Sequence, residues 1–177
     1  MPGAQNKGLV LVYTGNGKGK TSAAMGAALR ALGHGKRVHI VYFMKGSSPY
    51  GEQVAMSSLP NITFSRFGLQ KFVDPDNVTP EDKEEALKSF SAAYQATVSG
   101  KYDLVILDEV NIAAAWKLVE IDEVIELIDS KPANVDLILT GRYADQKLVE
   151  KADLVTEMKE IKHPYASGIK AKKGIDY

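Results

Sequence analysis

Apolar residues recur along this chain in two rhythms. Short apolar, β-branched runs alternate with stretches whose apolar residues return every three or four positions, the pattern of strands interleaved with amphipathic helices. Strands are expected at residues 8–13, 37–43, 61–67, 102–107, 135–140 and 154–158. Helices are expected from Lys20 to about Leu32, at 52–59, from Pro80 to about Val98, through 113–116, over the face formed by Ile121, Val124, Ile125 and Ile128, and at 143–151. Thr79-Pro80-Glu81-Asp82 is a strong helix opening, with a hydroxyl N-cap, proline at the first position and acids in the first turn. Residues 68–77 have no period and read as a functional loop. The pattern predicts an α/β fold with a mostly parallel, doubly wound sheet of about six strands. A single domain over 1–177 is expected, with a loose tail at 1–7 and a basic, loop-rich tail at 160–177.

The first strand runs into Thr14-Gly15-Asn16-Gly17-Lys18-Gly19-Lys20-Thr21-Ser22 and then into a helix. Strand, glycine-rich loop and helix in that order are the context of a phosphate-binding loop. Glycines let successive N–H groups turn towards an anion, and the following helix adds the positive end of its dipole. Lys20 supplies a point charge for phosphate oxygens, and the Thr21 hydroxyl suits Mg²⁺. Counting back from Gly19 in G-x-x-x-x-G-K-[ST] lands on Thr14, so the first glycine of the standard spacing stands one place late, at Gly15. A ligand-free turn is the bland alternative.

Lys plus Arg equals Asp plus Glu, at 22 each, so no net field advertises nucleic acid or an anionic membrane. The absence of cysteine excludes disulfides, thiolate metal sites and cysteine nucleophiles. No run is long and apolar enough for a membrane span and no signal peptide is legible, so a cytoplasmic location is expected.

A second constellation is Leu104-Val105-Ile106-Leu107-Asp108-Glu109, apolar strand then acids, the form of a Walker B strand. It delivers a carboxylate beside the phosphate loop, where Asp108 or Glu109 can hold Mg²⁺ directly or through water. The competing reading is that Glu109 caps the next helix. Lys45 and Arg142 each end a strand on the same edge, as phosphate or carboxylate contacts or as surface ion pairs. Lys162 and His163 fit either a polyphosphate contact or a solvated tail. His34 reads as a cap neighbour, His39 as a strand residue and Trp116 as packing. Tyr50, Phe67 and Phe72 either line an apolar site or anchor loops. No water-activating glutamate stands out, and no nucleophile has a neighbouring base.

Residues 13–21, Arg30-Ala31-Leu32-Gly33-His34-Gly35, Phe43-Met44-Lys45-Gly46, Leu107-Asp108-Glu109, Thr140-Gly141-Arg142 and Gly174-Ile175-Asp176-Tyr177 together resemble the P-loop-type corrinoid adenosyltransferases. The likeness runs from about residue 8 to the end of the chain. It implies a three-layer RecA-like P-loop fold, a homodimer, and ATP whose triphosphate lies reversed in the loop. It further implies transfer of the 5′-deoxyadenosyl group of ATP to the Co(I) of cobalamin or a precursor, with release of triphosphate. The attacking nucleophile then belongs to the substrate, which accounts for the missing base. A flavoprotein reductant is the implied electron donor. By resemblance, Gly15, Asn16, Gly17, Lys18, Gly19, Lys20, Thr21 and Ser22 bind phosphate with Lys45 and Arg142, and Thr21 with Glu109 and Asp108 holds Mg²⁺. Lys20, Glu109 and Phe72 carry the catalytic roles, Phe72 by displacing the lower axial ligand of Co(II). The loop at 68–77 departs from the family pattern, lacking tryptophan and having Phe72 as its sole aromatic, so Leu69 and Phe67 are rivals. The long N-terminal segment that some relatives lay over the site has no counterpart, so different corrin coverage is expected. A P-loop kinase or ATPase acting at the γ-phosphate is the runner-up, and a nucleotide-binding regulatory module without chemistry the third reading.

Overall fold

The computed structural model describes residues 7–46 and 49–176. Residues 1–6 of the expected N-terminal tail, Ser47, Ser48 and the closing Tyr177 lie outside the described residues. Six strands, β1 (Val10–Thr14), β2 (Val38–Tyr42), β3 (Ile62–Arg66), β4 (Leu104–Asp108), β5 (Asp136–Thr140) and β6 (Leu154–Glu157), alternate with helices. These are α1 (Lys20–Gly33), α2 (Gly51–Met56), α3 (Pro80–Val98), α4 (Val110–Ala115), α5 (Ile121–Ser130) and α6 (Gln146–Lys151). Every pairing is parallel, in the order β3-β2-β4-β5-β1-β6.

The alternation of side chains along each strand divides the interior into two cores. Val12, Val41, Phe43, Val105, Leu107, Leu137 and Leu139 face one side, under buried residues of α3 to α6 such as Ala93, Ala113, Val124 and Leu148. Val38, Ile40, Tyr42, Leu104, Ile106 and Ile138 face the other, against Ala24, Met25 and Ala28 of α1 and Met56 of α2. Helices therefore cover both faces, giving the three-layer α/β arrangement. The strand β1 that leads into the glycine-rich loop and the acid-bearing strand β4 are not neighbours; β5 lies between them. That order sets Thr140 at the end of β5 midway between the phosphate loop and Asp108.

Local sequence explains the element ends. Thr79 opens α3 with a capping box in which its side chain accepts from the Asp82 N–H and Asp82 accepts from the Thr79 N–H. Such a cap contributes about 1 kcal/mol. The expected helix at 143–151 starts later, at Gln146, because Tyr143 is left-handed (φ 59°) and Asp145 takes the N-cap, accepting from the Lys147 N–H. Among the described residues the tail beyond β6 holds no strand or α-helix, only a 3₁₀ helix at Pro164–Ser167, whose N-cap is His163, and a turn at 173–176. No helix among the described residues is long and apolar enough to cross a membrane.

Candidate active site

The phosphate loop is braced from behind. Met158, just past β6, donates its N–H to the Thr14 carbonyl at 2.8 Å and accepts from the Gly17 N–H at 2.7 Å. A Cβ on Gly15 or Gly17 would run into the Met158–Lys159 main chain, and Gly15 and Gly19 take φ of 96° and 113°. Only glycine accepts that combination cheaply. Thr14 is still strand and needs no glycine; its hydroxyl accepts the Ala144 N–H at 3.2 Å. This is the physical reason why the first glycine arrives one residue late.

Lys20 is buried, and its ammonium donates to the carbonyls of Gly15 at 2.7 Å and Gly17 at 2.6 Å. Burial lowers its pKa, against the opposing charges of Glu109 and Asp108. Asn16, Lys18 and Ser22 are exposed at the mouth. Lys18 forms an ion pair with Asp176, so the C-terminal segment returns to the phosphate loop.

Asp108 is the hub of the site and wholly buried. Its Oδ1 accepts from the hydroxyls of Thr21 at 2.9 Å and Thr140 at 2.7 Å, and its Oδ2 meets the Lys45 ammonium at 2.6 Å. Lys45 is therefore a buried ion-pair partner, not a surface one, with its side chain only 13% exposed. It also lies over the rings of Tyr50 (4.6 Å) and Tyr42 (5.6 Å), as a cation–π donor would. Burial works against its charge, but Asp108 and Glu109 outweigh that and raise its pKa.

Glu109 occupies the N-cap position of α4 in a left-handed conformation (φ 69°), and its side chain makes no capping bond. The backbone N–H is instead held by Thr140 Oγ1 at 3.0 Å. The capping explanation for Glu109 is thus not how its carboxylate is used. Burial, then the Asp108 charge, raise its pKa, while Lys45, Lys20 and Arg142 pull it back. Arg142 itself is exposed, and its charge is felt by both Lys20 and Glu109. Three cations thus surround two carboxylates, leaving a positive balance suited to a polyphosphate.

Beside this hub opens a cavity of about 890 Å³, lined by carbon-rich groups of Met44, Tyr50, Val54, Leu69 and Phe72 and by Lys45. Its size is at the upper end for small-molecule sites. Phe72 is 97% exposed on its rim. Leu69 also lines it, whereas Phe67 does not; the Phe67 backbone pairs with Lys45 and Tyr42. Two of the segments that line the cavity meet where Gly46 and Gly68 pack main chain to main chain, and a Cβ on either would collide with the other loop.

His163 accepts the Tyr165 N–H and Lys162 is exposed, so the structure gives both to the tail. His34 is the C-cap of α1, and His39 is a buried strand residue bonded to Thr63 and Ser65. Trp116 packs on the edge of the core. Sequence reasoning missed Thr140 as the bridge between Asp108 and Glu109. Its position at the end of a strand, before Gly141-Arg142, was the available signal. It also missed Asn111, buried with Nδ2 donating to the Gly141 carbonyl at 3.2 Å, which ties α4 to the end of β5.

The profile of the ATP:corrinoid adenosyltransferase BtuR/CobO/CobP family matches residues 6–177, nearly the whole chain. The chain belongs to this family. A corrinoid adenosyltransferase of Pseudomonas aeruginosa is 38% identical over 171 residues, covering 97% of this chain and 84% of the relative. One of Escherichia coli K12 is 35% identical, covering 97% and 86% respectively. The Salmonella typhimurium corrinoid adenosyltransferase CobA is 34% identical over 173 residues, covering 98% and 87%.

Proposed function

We propose that this protein transfers the 5′-deoxyadenosyl group of ATP to the Co(I) of a reduced corrinoid. The Co–C5′ bond forms, the C5′–O bond breaks, and triphosphate leaves with the bonding pair as cobalt passes from Co(I) to Co(III). The observation that carries the reading is the abutment of two unlike sites through one residue. Lys45 belongs both to the charged hub around Asp108 and to the wall of the large apolar cavity. The hub suits a triphosphate, and the cavity suits the flat face of a macrocycle.

The residues then divide the work. Lys20 exchanges its loop carbonyls for phosphate oxygens, joined by the N–H groups of the loop and by Lys45 and Arg142. Together they stabilise the charge that grows on the departing triphosphate. The loop and the cavity hold C5′ and cobalt in line, which is most of what the displacement needs. A reversed triphosphate rests on the family likeness, and the off-register glycine is compatible with it. The donor set fits Mg²⁺: a hydroxyl and carboxylates are hard oxygens, and no group of three or more His, Cys, Asp or Glu among the described residues could cage a metal alone. Thr21 and Glu109 would hold it and share its neutralising charge with the phosphates, while Asp108, already taken by Thr21, Thr140 and Lys45, orients Thr21. Phe72 on the cavity rim is assigned the displacement of the lower axial ligand. The homodimer and the flavoprotein electron donor rest on the family likeness, and the single-domain organisation on chain length and the unbroken strand–helix alternation.

One observation favours a γ-phosphate ATPase instead. The Glu109 carboxylate has no hydrogen-bond partner among the described residues and a raised pKa, the state of a group able to orient water. One experiment separates the two. The protein is incubated in the dark with Mg-ATP and a corrinoid chemically reduced to Co(I). Inorganic triphosphate with a light-sensitive adenosylated corrinoid is expected; orthophosphate without that product would replace the reading with the ATPase.

A further inference from the structure

Four charged residues line the large cavity: Lys45, Lys71, Lys173 and Asp176. Two are already neutralised. Lys45 is paired with Asp108, and Asp176 with Lys18. The other two make no ion pair among the described residues. Asp82 feels the charge of Lys71, but the two make no ion-pair contact, and Asp82 Oδ2 accepts from the Thr79 N–H and hydroxyl. Lys71 comes from the loop after β3 and Lys173 from the C-terminal tail, so the fold brings two cations without an ion-pair partner among the described residues from distant segments to one apolar cavity. Both side chains are exposed at the rim, so each is free to turn towards an anionic group on a ligand seated on the apolar wall.

We infer that Lys71 and Lys173 select a negatively charged corrinoid over a neutral one, the macrocycle lying on Leu69, Val54 and Phe72. This inference rests on the adenosyl-transfer reading and specifies its substrate class. The anionic group is either a free carboxylate on the ring periphery or the phosphodiester of a nucleotide loop. Each contact at such a rim is worth about threefold, and the two together roughly tenfold.

The test compares three Co(I) corrinoids under Mg-ATP: one fully amidated without a nucleotide loop, one with free ring carboxylates and no loop, and one amidated with the phosphodiester loop. The expected result is a kcat/KM roughly tenfold higher for one of the anionic substrates than for the neutral one, shrinking in high salt. Preference for the carboxylate substrate alone assigns the ring periphery, and preference for the phosphodiester substrate alone assigns the loop. In the double variant Lys71→Gln/Lys173→Gln the ratio should fall to near one, and in Lys71→Glu/Lys173→Glu it should invert. Equal rates on all three substrates, or an unchanged ratio in the variants, would overturn the inference while leaving the transferase reading intact. No adenosylated product from any of them would instead overturn the transferase reading. Equilibrium dialysis of the three Co(II) corrinoids with Mg-ATP reads the charge preference without turnover, and lack of preference there also counts against the inference.

Discussion

Replacing Asp108 by Asn isolates the charge at the centre of the site. The amide keeps an oxygen for the hydroxyls of Thr21 and Thr140, but sets an NH₂ group where Oδ2 met the Lys45 ammonium at 2.6 Å. Lys45 is then a nearly buried cation without its counter-ion. Removing one partner of a buried pair costs about 3–5 kcal/mol. Here Glu109 and the two tyrosine rings partly compensate, so about 3 kcal/mol is expected, a fall in Tm of about 6–12 °C for a chain of this size. Lys45→Met should cost about 4 kcal/mol, because it strands a carboxylate with no exposure at all. The double variant Asp108→Asn/Lys45→Met should lie within about 2 kcal/mol of the parent, since replacing a whole buried pair is often near neutral. Urea unfolding followed by Trp116 fluorescence and circular dichroism measures all four corners of the cycle. These values imply a coupling of about 5 kcal/mol, with adenosylation still lost in the double variant. Additive single effects, or an Asp108→Asn cost below about 1 kcal/mol, would refute the picture of a mutually neutralised hub.

Three further outcomes are expected. Phe72→Ala should leave stability within about 0.5 kcal/mol of the parent, because the side chain is almost fully exposed. It should impair adenosylation starting from Co(II) far more than from pre-reduced Co(I), and equal losses would remove Phe72 from its role. Burial holds the His39 imidazole down to a pKa of about 4, below its unfolded value of 6.5. Its contribution is therefore complete above pH 6.5 and is lost as pH falls towards 4; between pH 7 and 5 about 2 kcal/mol should disappear. His39→Gln should flatten that part of the stability profile, and an unchanged slope would contradict it. Asp176→Ala frees Lys18 from its half-exposed ion pair, so global stability should drop by no more than about 1 kcal/mol. Limited proteolysis should nevertheless cut the C-terminal segment sooner than in the parent; identical digestion would mean the tail is held by other contacts.

Much of this architecture was legible in the residues. The short apolar, β-branched runs located the six strands of the described residues, and the hydroxyl-proline-acid opening located α3 because capping is a local interaction. The phosphate loop and the Asp108-Glu109 pair were legible for the same reason: each is a contiguous string. What the string could not show is how strands are ordered. The insertion of β5 between β1 and β4 brings Thr140 against Asp108, residues 32 apart in sequence. The ion pairs Lys45–Asp108 and Lys18–Asp176 depend on that order and on the return of the tail, so the string shows both lysines as phosphate contacts but not their acidic partners. Helix α6 began late because a left-handed Tyr143 carries no signature in a bare sequence. The late first glycine looked like a defect in a motif. Folded, it follows from Thr14 remaining in the strand and from the Met158 brace.

The contact between Gly46 and Gly68 has a mechanical meaning. Lys45 stands next to one of these glycines and Leu69 next to the other, and Gly68 is further held by its N–H to Glu85 of α3 at 3.0 Å. The joint is a fulcrum: its two arms are the segment that carries the ion-paired lysine and the segment that carries the exposed aromatic. A fulcrum made of bare main chain has no side chain to repack. A Cβ at either glycine would therefore force the two arms apart, moving Lys45 away from Asp108 or the rim that bears Phe72 away from the cavity.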